Sequence, residues 1–473
     1  MVLDNLTGNK TKTRLPEGVN DAVLSNRFLE FFDDKIEGIV RNINSNAPRT
    51  SFFPNFSNER LHKFDLIDIN ELEVIMARVK FTYCDYDPVP MAEIKTAANF
   101  KEYLNVILVI VNLSLKEISF PKSEKSAIIK PILKGNLDSQ VLSSYRPVSN
   151  LTFLSKVIEN VILNKLVKHL ERVGALPDSQ SAYRRLYSTE TAVCSVINDL
   201  ILLMDSGSCC ILILLDLSAA FDTVRHDLLV EDLRTIGIVD DALEYIKNYL
   251  EGRTYKVKVG NSFSDEKPLL RGVPQGSVLG PILFCIYTIE LSHLLDRHGV
   301  GFKLFADDTQ FYMMLESVED TERKLSEIMV DIKTWMDGKQ LKLNEDKTEC
   351  LIIGKKNDIS NMRNIQNLSV NNTLMNVSKS VKNLGVLLDC SLTLKEQISK
   401  IVKISGYHLR NIAFVRKYLD EGTVKMLVHN YIISRLDFCN SIYYGLPNYQ
   451  LKKIQLIMNR TSRLIRGAGP GKR

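Results

Sequence analysis

The chain alternates between short apolar runs and amphipathic stretches, divided by polar, turn-rich segments. Val23, Phe28, Phe31, Phe32, Ile36, Ile39 and Ile43 recur at helical spacing within a polar first 60 residues that read as a leader or linker. Helical periodicity also marks 66–83 and 92–120, split by the turn-rich CDYDPVP. AIIKPILK is β-rich; in SYRPVSN, Pro147 keeps Arg146 extended, and a helix follows over about 152–170. CCILILLDLSAAFD, 209–222, is almost continuously apolar up to Asp216, the pattern of a strand buried on both faces. YKVKVG, 255–260, alternates like a half-exposed strand, and RGVPQGSVLGPILF is a Gly/Pro-rich loop feeding a helix from Ser277. LFADDTQFY, 304–312, reads as a buried hairpin carrying two acids at its tip. An amphipathic helix over 318–337 places Leu325, Ile328, Ile332 and Trp335 on one face. CLIIG (350–354) and LGVLLD (384–389) are short strands, and the remainder is helical and basic.

A length of 473 residues leaves room for two to four domains, and no apolar run reaches the roughly 18 residues of a membrane span. Eight scattered cysteines with no C-x-x-C pair fit reduced thiols inside the cell rather than a zinc module. The net charge of +5 is unevenly spread. Residues 401–473 hold 13 Lys/Arg against three acids, a net of +10, so the first 400 sum to −5. A basic tail on a near-neutral body suits a polyanion such as nucleic acid, or simply a solvated helical face.

Two carboxylates at an apolar hairpin tip are costly unless a cation compensates them. Lys303 is the nearest positive charge in sequence, and one cation cannot balance two acids. A third acid, Asp216, ends another apolar run 91 residues earlier (307 − 216). If those strands pair in one sheet, Asp216, Asp307 and Asp308 meet at its edge. Three such acids can hold two Mg²⁺ ions about 4 Å apart, with Mn²⁺ as a substitute, for in-line phosphoryl displacement.

The ordered series KPILK, SYRPVSNLTFLSKVIE, SAYRRLYSTETAV, LLDLSAAFDTV, GVPQGSVLGPILF, LFADDTQFY, LNEDKTE and LGVLLD resembles the reverse transcriptases of non-LTR retrotransposons, especially those of chicken-repeat and jockey type. The resemblance spans about 60–466. It implies an α+β right-hand polymerase fold of fingers, palm and helical thumb. The expected division is a leader over 1–60, an N-terminal extension over 61–113, fingers and palm over 114–389 and a basic helical thumb over 390–473. Palm strands are expected at 209–217, 302–315, 350–354 and 384–389.

The resemblance also implies roles. Asp216, Asp307 and Asp308 would be the metal-binding catalytic acids, with the Leu217 carbonyl as a further ligand. Phe221 would be the steric gate against a ribonucleotide 2′-OH. Lys134 and Arg146 would grip the triphosphate, Gln275 would touch nucleotide and template, and Lys347 would sit near the β/γ-phosphates. Gly272 and Gly276 would let backbone approach substrate. Leu384, Gly385 and Val386 match the primer grip. On a helix over 449–466, Leu451, Ile454, Met458 and Ile465 share one face, and Lys452, Lys453, Arg460 and Arg463 form an opposite arc suited to duplex phosphates. The implied partners are an RNA template, a DNA primer and dNTPs, with no membrane; the nucleus is the expected compartment and the cytoplasm the other.

Three positions depart from the pattern: Tyr187, Arg225 and the segment YTIEL (287–291), all expected to affect nucleic-acid contacts more than chemistry. The residues ahead of the polymerase region are too few for the endonuclease such elements carry, which suggests a truncated copy. An RNA-dependent RNA polymerase shares the palm, but Phe221 and FADD in place of GDD speak against it. A decayed element product that only binds RNA is the remaining alternative.

Overall fold

A computed structural model describes residues 15–43, 53, 56, 58–79, 83–96, 99–135, 137–206, 209–355, 367–371 and 373–467. The elements that frame the site begin with helix α1 (Asp21–Arg41), strands β1 (Ser126–Leu133) and β2 (Tyr145–Asn150), and helices α2 (Phe153–Val173) and α3 (Thr189–Asp205). Strand β3 (Cys209–Leu215), the single turn α4 (Ala220–Thr223), strand β4 (Thr254–Val259) and helix α5 (Gly280–Tyr287) follow. Strands β5 (Gly301–Phe305) and β6 (Asp308–Leu315), helix α6 (Val318–Gly338) and strands β7 (Glu349–Ile353), β8 (Asn367–Val370) and β9 (Thr373–Ser378) come next. Strands β10 (Ser380–Asn383) and β11 (Val386–Asp389) and helices α7 (Lys395–Val415) and α8 (Asn448–Arg466) complete the set.

One sheet runs β8-β9-β7-β3-β6-β5. Its central strand, β3, is antiparallel to both β6 and β7. The unbroken apolar sequence of β3 follows from that place: neighbours on both edges and packing on both faces leave no position for a polar side chain. One face lies on the main core, with α2, α5 and α6, and the other packs toward α3 and the C-terminal helices α7 and α8. A second sheet joins β2, β1 and β4, with β1 and β4 parallel. Among the described residues no helix is long and apolar enough to cross a membrane, and all eight cysteines are free thiols.

Three expectations need correction. The first concerns residues 21–41, which pack onto the β2-β1-β4 sheet instead of standing apart as a leader. Leu24, Phe28, Leu29 and Phe32 are buried against Ala127, Ile129, Tyr145, Tyr255, Val257 and Val259. The Phe28 ring meets Tyr145 edge-on at 5.0 Å, and Asp33 pairs with Lys267 beside β4. The aromatic cluster supplies the apolar stripe that an otherwise polar helix needs in order to dock.

The second concerns 384–389, which is not a strand of the main sheet. β11 pairs only with β10, as a separate hairpin turning through Leu384 and Gly385. Short apolar runs carry no information about which partner they take. The third concerns YTIEL, whose Glu290 is completely buried, so its side chain serves the core rather than the surface. Lys339 Nζ lies 2.7 Å from Glu290 and 2.7 and 2.8 Å from the two Asp232 oxygens, and Trp335 Nε1 donates to Glu290. Buried acids persist there because a buried cation and an indole N–H satisfy them. The other two departures make local contacts: Tyr187 lies under the Arg184 guanidinium, and Arg225 pairs with Asp227.

Candidate polymerase active site

The β5–β6 hairpin closes on Phe305↔Asp308, leaving Ala306 and Asp307 as its turn. Ala306 adopts φ +57°, a left-handed conformation that costs a non-glycine residue about 1 kcal/mol. The neighbouring loop offsets this. Ala306 N–H donates to Gln180 Oε1 at 3.3 Å, and Leu304 exchanges backbone hydrogen bonds with Ser179 and Ser181 at 2.9 Å each. The segment SQSAYRR thus fixes the outer edge of the acid hairpin.

Asp216 arrives by register. Leu215 pairs with Thr309, so the next residue of β3 comes opposite Asp308. Directly opposed residues on antiparallel strands sit roughly 5 Å apart at Cβ, so the 91-residue separation collapses to a neighbouring position. Asp216 Oδ2 accepts from Asn344 Nδ2 at 2.9 Å and lies 3.5 Å from Lys347 Nζ. Asp307 and Asp308 have no ion pair among the described residues. Burial, then the Asp216 charge, raises the pKa of Asp307. Asp308 is exposed at its tip, yet the protein beneath it pushes its carboxyl up to about 6, reinforced by Asp307 and Asp216 and opposed by Arg146.

These acids suit a divalent cation. The charge on Asp307 and Asp308 is disfavoured by their own surroundings, and a hard cation relieves that. Among the described residues no three ligating side chains form a ready-made cage, because Asp216 turns toward Asn344 and Lys347. Mg²⁺ needs only one or two carboxylates, with water and substrate phosphates completing its shell. The bridge between Leu217 and Leu343 uses the carbonyls of Asp216 and Lys342, so it leaves the Leu217 carbonyl out.

A cavity of about 580 Å³ joins Asp216 and Asp308 to Lys347 and to Lys382, Asn383 and Leu384 of the β10–β11 hairpin. Leu384 therefore stands across the cleft from the acids, while Val386 is buried in the core. Leu384 and Gly385 have φ of +44° and +97°. A Cβ on Gly385 would come within 3.2 Å of the Phe438 ring. Asn383 donates to Gln310 on β6, tying this hairpin to the acid strand.

On the fingers side, Arg146 is exposed opposite Ile132. Lys134 Nζ donates to the Ser143 carbonyl at 2.9 Å. Burial lowers the Lys134 pKa, as do the charges of Lys35, Lys347 and Arg146. Lys35, on α1, is thus among the charges that bear on Lys134. Phe221, half-buried, stacks on Phe284 with centroids 4.5 Å apart, which fixes its ring. Gln275 donates from Nε2 to Asp222 Oδ2 at 2.7 Å, and its carbonyl accepts from Ser149 N–H at 2.7 Å. Gln275 is thereby a strut between β2 and α4. Burial raises Asp222 to about 6.

Gly272 and Gly276 make room for neighbouring protein backbone. A Cβ at Gly272 would stand 2.8 Å from the Asp222 carbonyl, and one at Gly276 would collide with that of Ser149. Lys452, Arg460 and Arg463 are exposed on α8, and Lys453 lies over the Tyr449 ring. The buried face of α8 is Gln450, Ile457 and Thr461; Met458, expected on it, is 43% exposed because it lies one step around the helix from Ile457.

Sequence reasoning missed Lys35, Asp222 and Asn344. Asp222 carried a signal, a lone acid after the apolar AAF. Lys35 and Asn344 carried none, since tertiary packing alone brings them to the site.

Residues 132–388 match the family model described as reverse transcriptase (RNA-dependent DNA polymerase). The chain belongs to that family. Among its relatives is the probable RNA-directed DNA polymerase from transposon BS of Drosophila melanogaster, 27% identical over 76% of this chain and 40% of that protein. Another is the RNA-directed DNA polymerase from mobile element jockey of the same fly, 28% identical over 77% of this chain and 40% of that protein. The chain therefore spans about 40% of the length of these relatives. Apo telomerase from Candida tropicalis aligns over 73% of this chain and 64% of its own, with 13% identity and a TM-score of 0.41, too loose a likeness to carry an argument.

Proposed function

We propose that this chain is the RNA-directed DNA polymerase of a non-LTR retrotransposon, extending a DNA primer on an RNA template with dNTPs. The observation that carries the reading is the pairing of β3 with β6, which brings Asp216 opposite Asp308 beside a cleft that Lys347 and Lys382 also line. Asp216, Asp307, Asp308 and the Leu217 carbonyl would hold two divalent ions, Mg²⁺ or Mn²⁺, whose chemistry is to acidify the primer 3′-OH and neutralise the departing pyrophosphate.

The protein's own groups do the rest. Arg146 offers a bidentate fork to phosphate oxygens, and Lys134 and Lys35 add point charges. Lys347, resting against Asp216, shifts to the pyrophosphate and donates a proton to it. Phe221, held by Phe284, blocks a 2′-OH. Gln275 presents the backbone of its loop to the base pair. The Leu384–Val386 turn holds the primer end, and the basic arc of α8 follows the duplex. On this reading 114–389 forms fingers and palm and 390–473 the thumb, and the protein works in the nucleus.

The test is extension of oligo(dT) on poly(rA) across a Mg²⁺ titration, with dNTPs against NTPs. The proposal requires metal-dependent incorporation of dTTP, and Phe221→Val should ease UTP incorporation at least tenfold. Labelled RNA retained on a filter with no extension at any metal concentration would instead support a binding-only element product.

A further inference from the structure

One exposed face of α7 alternates cations and aromatic rings. Lys403, Tyr407, Arg410 and Phe414 follow one another at steps of four, three and four residues, and Lys417 and Tyr418 continue the line into the next turn. These are helical-face spacings, so the six side chains form a stripe about 20 Å long. Tyr407 is 46% exposed, Phe414 71% and Tyr418 75%. The opposite face, Ile398, Ile401, Ser405, Ile412 and Val415, is buried.

The stripe is distinct from both nucleic-acid surfaces described above. The flank of α7 formed by Gln397, Lys400 and Ile404 lines a separate cavity with Gly385 and Phe438, on the primer-grip side. The other flank meets α8, where Arg416 donates to the Leu464 and Ile465 carbonyls. No acid interrupts the stripe. The nearest that follow, Asp420 and Glu421, are engaged with Thr423 and Lys425.

Tyr407 meets the His408 ring edge-on at 5.3 Å yet keeps an open face, and Phe414 and Tyr418 stand further into water, so together the three rings suit a partner that offers flat apolar faces. The interleaved cations require that partner to be an anion as well. A duplex shows its phosphates but hides its base faces in the stack, whereas unpaired nucleotides show both. We infer that this face of α7 is a stacking platform for single-stranded nucleic acid, reading neither sequence nor duplex shape. Lys417, 4.7 Å from the Tyr418 ring centroid, already covers one of the rings as a cation does in such sites.

The test measures binding by fluorescence anisotropy on the full chain without divalent metal or dNTPs, so the outcome does not depend on polymerase activity. The probes are labelled oligo(U), oligo(dT) and a blunt RNA–DNA duplex. Tyr407→Ala/Phe414→Ala/Tyr418→Ala should weaken both single strands at least tenfold and the duplex less than twofold. Phe414→Trp in the otherwise alanine background should recover part of the loss. Circular dichroism checks folding; if the triple variant is unfolded, Phe414→Ala and Tyr418→Ala are read singly, each expected to cost at least threefold. Unchanged single-strand affinity, or equal loss for duplex and single strand, overturns the inference. So does a change in sedimentation state with unaltered affinity, which would make the stripe a protein interface.

Discussion

At the residue scale, the acid hairpin is electrostatically unfinished. Asp308 carries its proton up to about pH 6, against an ordinary carboxyl value of 3.8, because its surroundings resist the charge. A carboxyl raised in the folded state favours folding below its unfolded pKa, and that support is lost as pH rises through the folded value. In metal-free protein, Asp308→Asn should therefore raise the thermal midpoint relative to the wild type at pH 8, with the difference vanishing near pH 4. Millimolar Mg²⁺ should narrow the gap at pH 8 by stabilising the wild type alone. Identical pH profiles for the two proteins would show that the Asp308 charge is not under strain.

At the scale of elements, α1 packs on the β2-β1-β4 sheet and carries Lys35 toward Lys134. Phe28 is fully buried, so Phe28→Ala should cost about 3–5 kcal/mol in denaturant unfolding. Lys35, exposed one helical turn beyond Phe31 and Phe32, bears electrostatically on Lys134 and Asp222. Lys35→Ala should raise KM for dNTP about two- to fivefold and leave kcat nearly unchanged, the size of one screened charge contact. A steady-state titration giving an unchanged KM would remove Lys35 from the site. The contrast between α1 and β3 shows what the sequence reveals about elements. β3, the acid hairpin and β7 were legible because a strand buried on both faces must be apolar throughout, and Asp216 stood out at the end of such a run. The role of α1 was not legible, because an amphipathic stripe specifies a helix without naming the surface it covers. Leu384–Asp389 failed for the related reason that hydrogen-bond partners leave no mark on a four-residue strand.

At the scale of the whole molecule, positive charge is gathered over residues 401–473 and negative charge at the β3–β6 end of the main sheet. If Lys452, Lys453, Arg460 and Arg463 each neutralise one phosphate, replacing all four with alanine should reduce the slope of log affinity against log salt by about 3 to 4. An unchanged slope on a primer–template duplex would mean that α8 does not track the backbone. On the proposed function, Asp216 and Asp307, 91 residues apart in sequence, act as one catalytic unit because β3 lies against β6. The most direct measurement compares Mg²⁺-dependent extension of oligo(dT) on poly(rA) by the wild type, Asp216→Asn, Asp307→Asn and the double variant. Each single change should reduce extension by about three orders of magnitude or more while duplex binding stays within a fewfold, and the double variant should be scarcely worse than either alone. Extension by Asp216→Asn near the wild-type rate, with Asp307→Asn inactive, would contradict a site shared between the two strands.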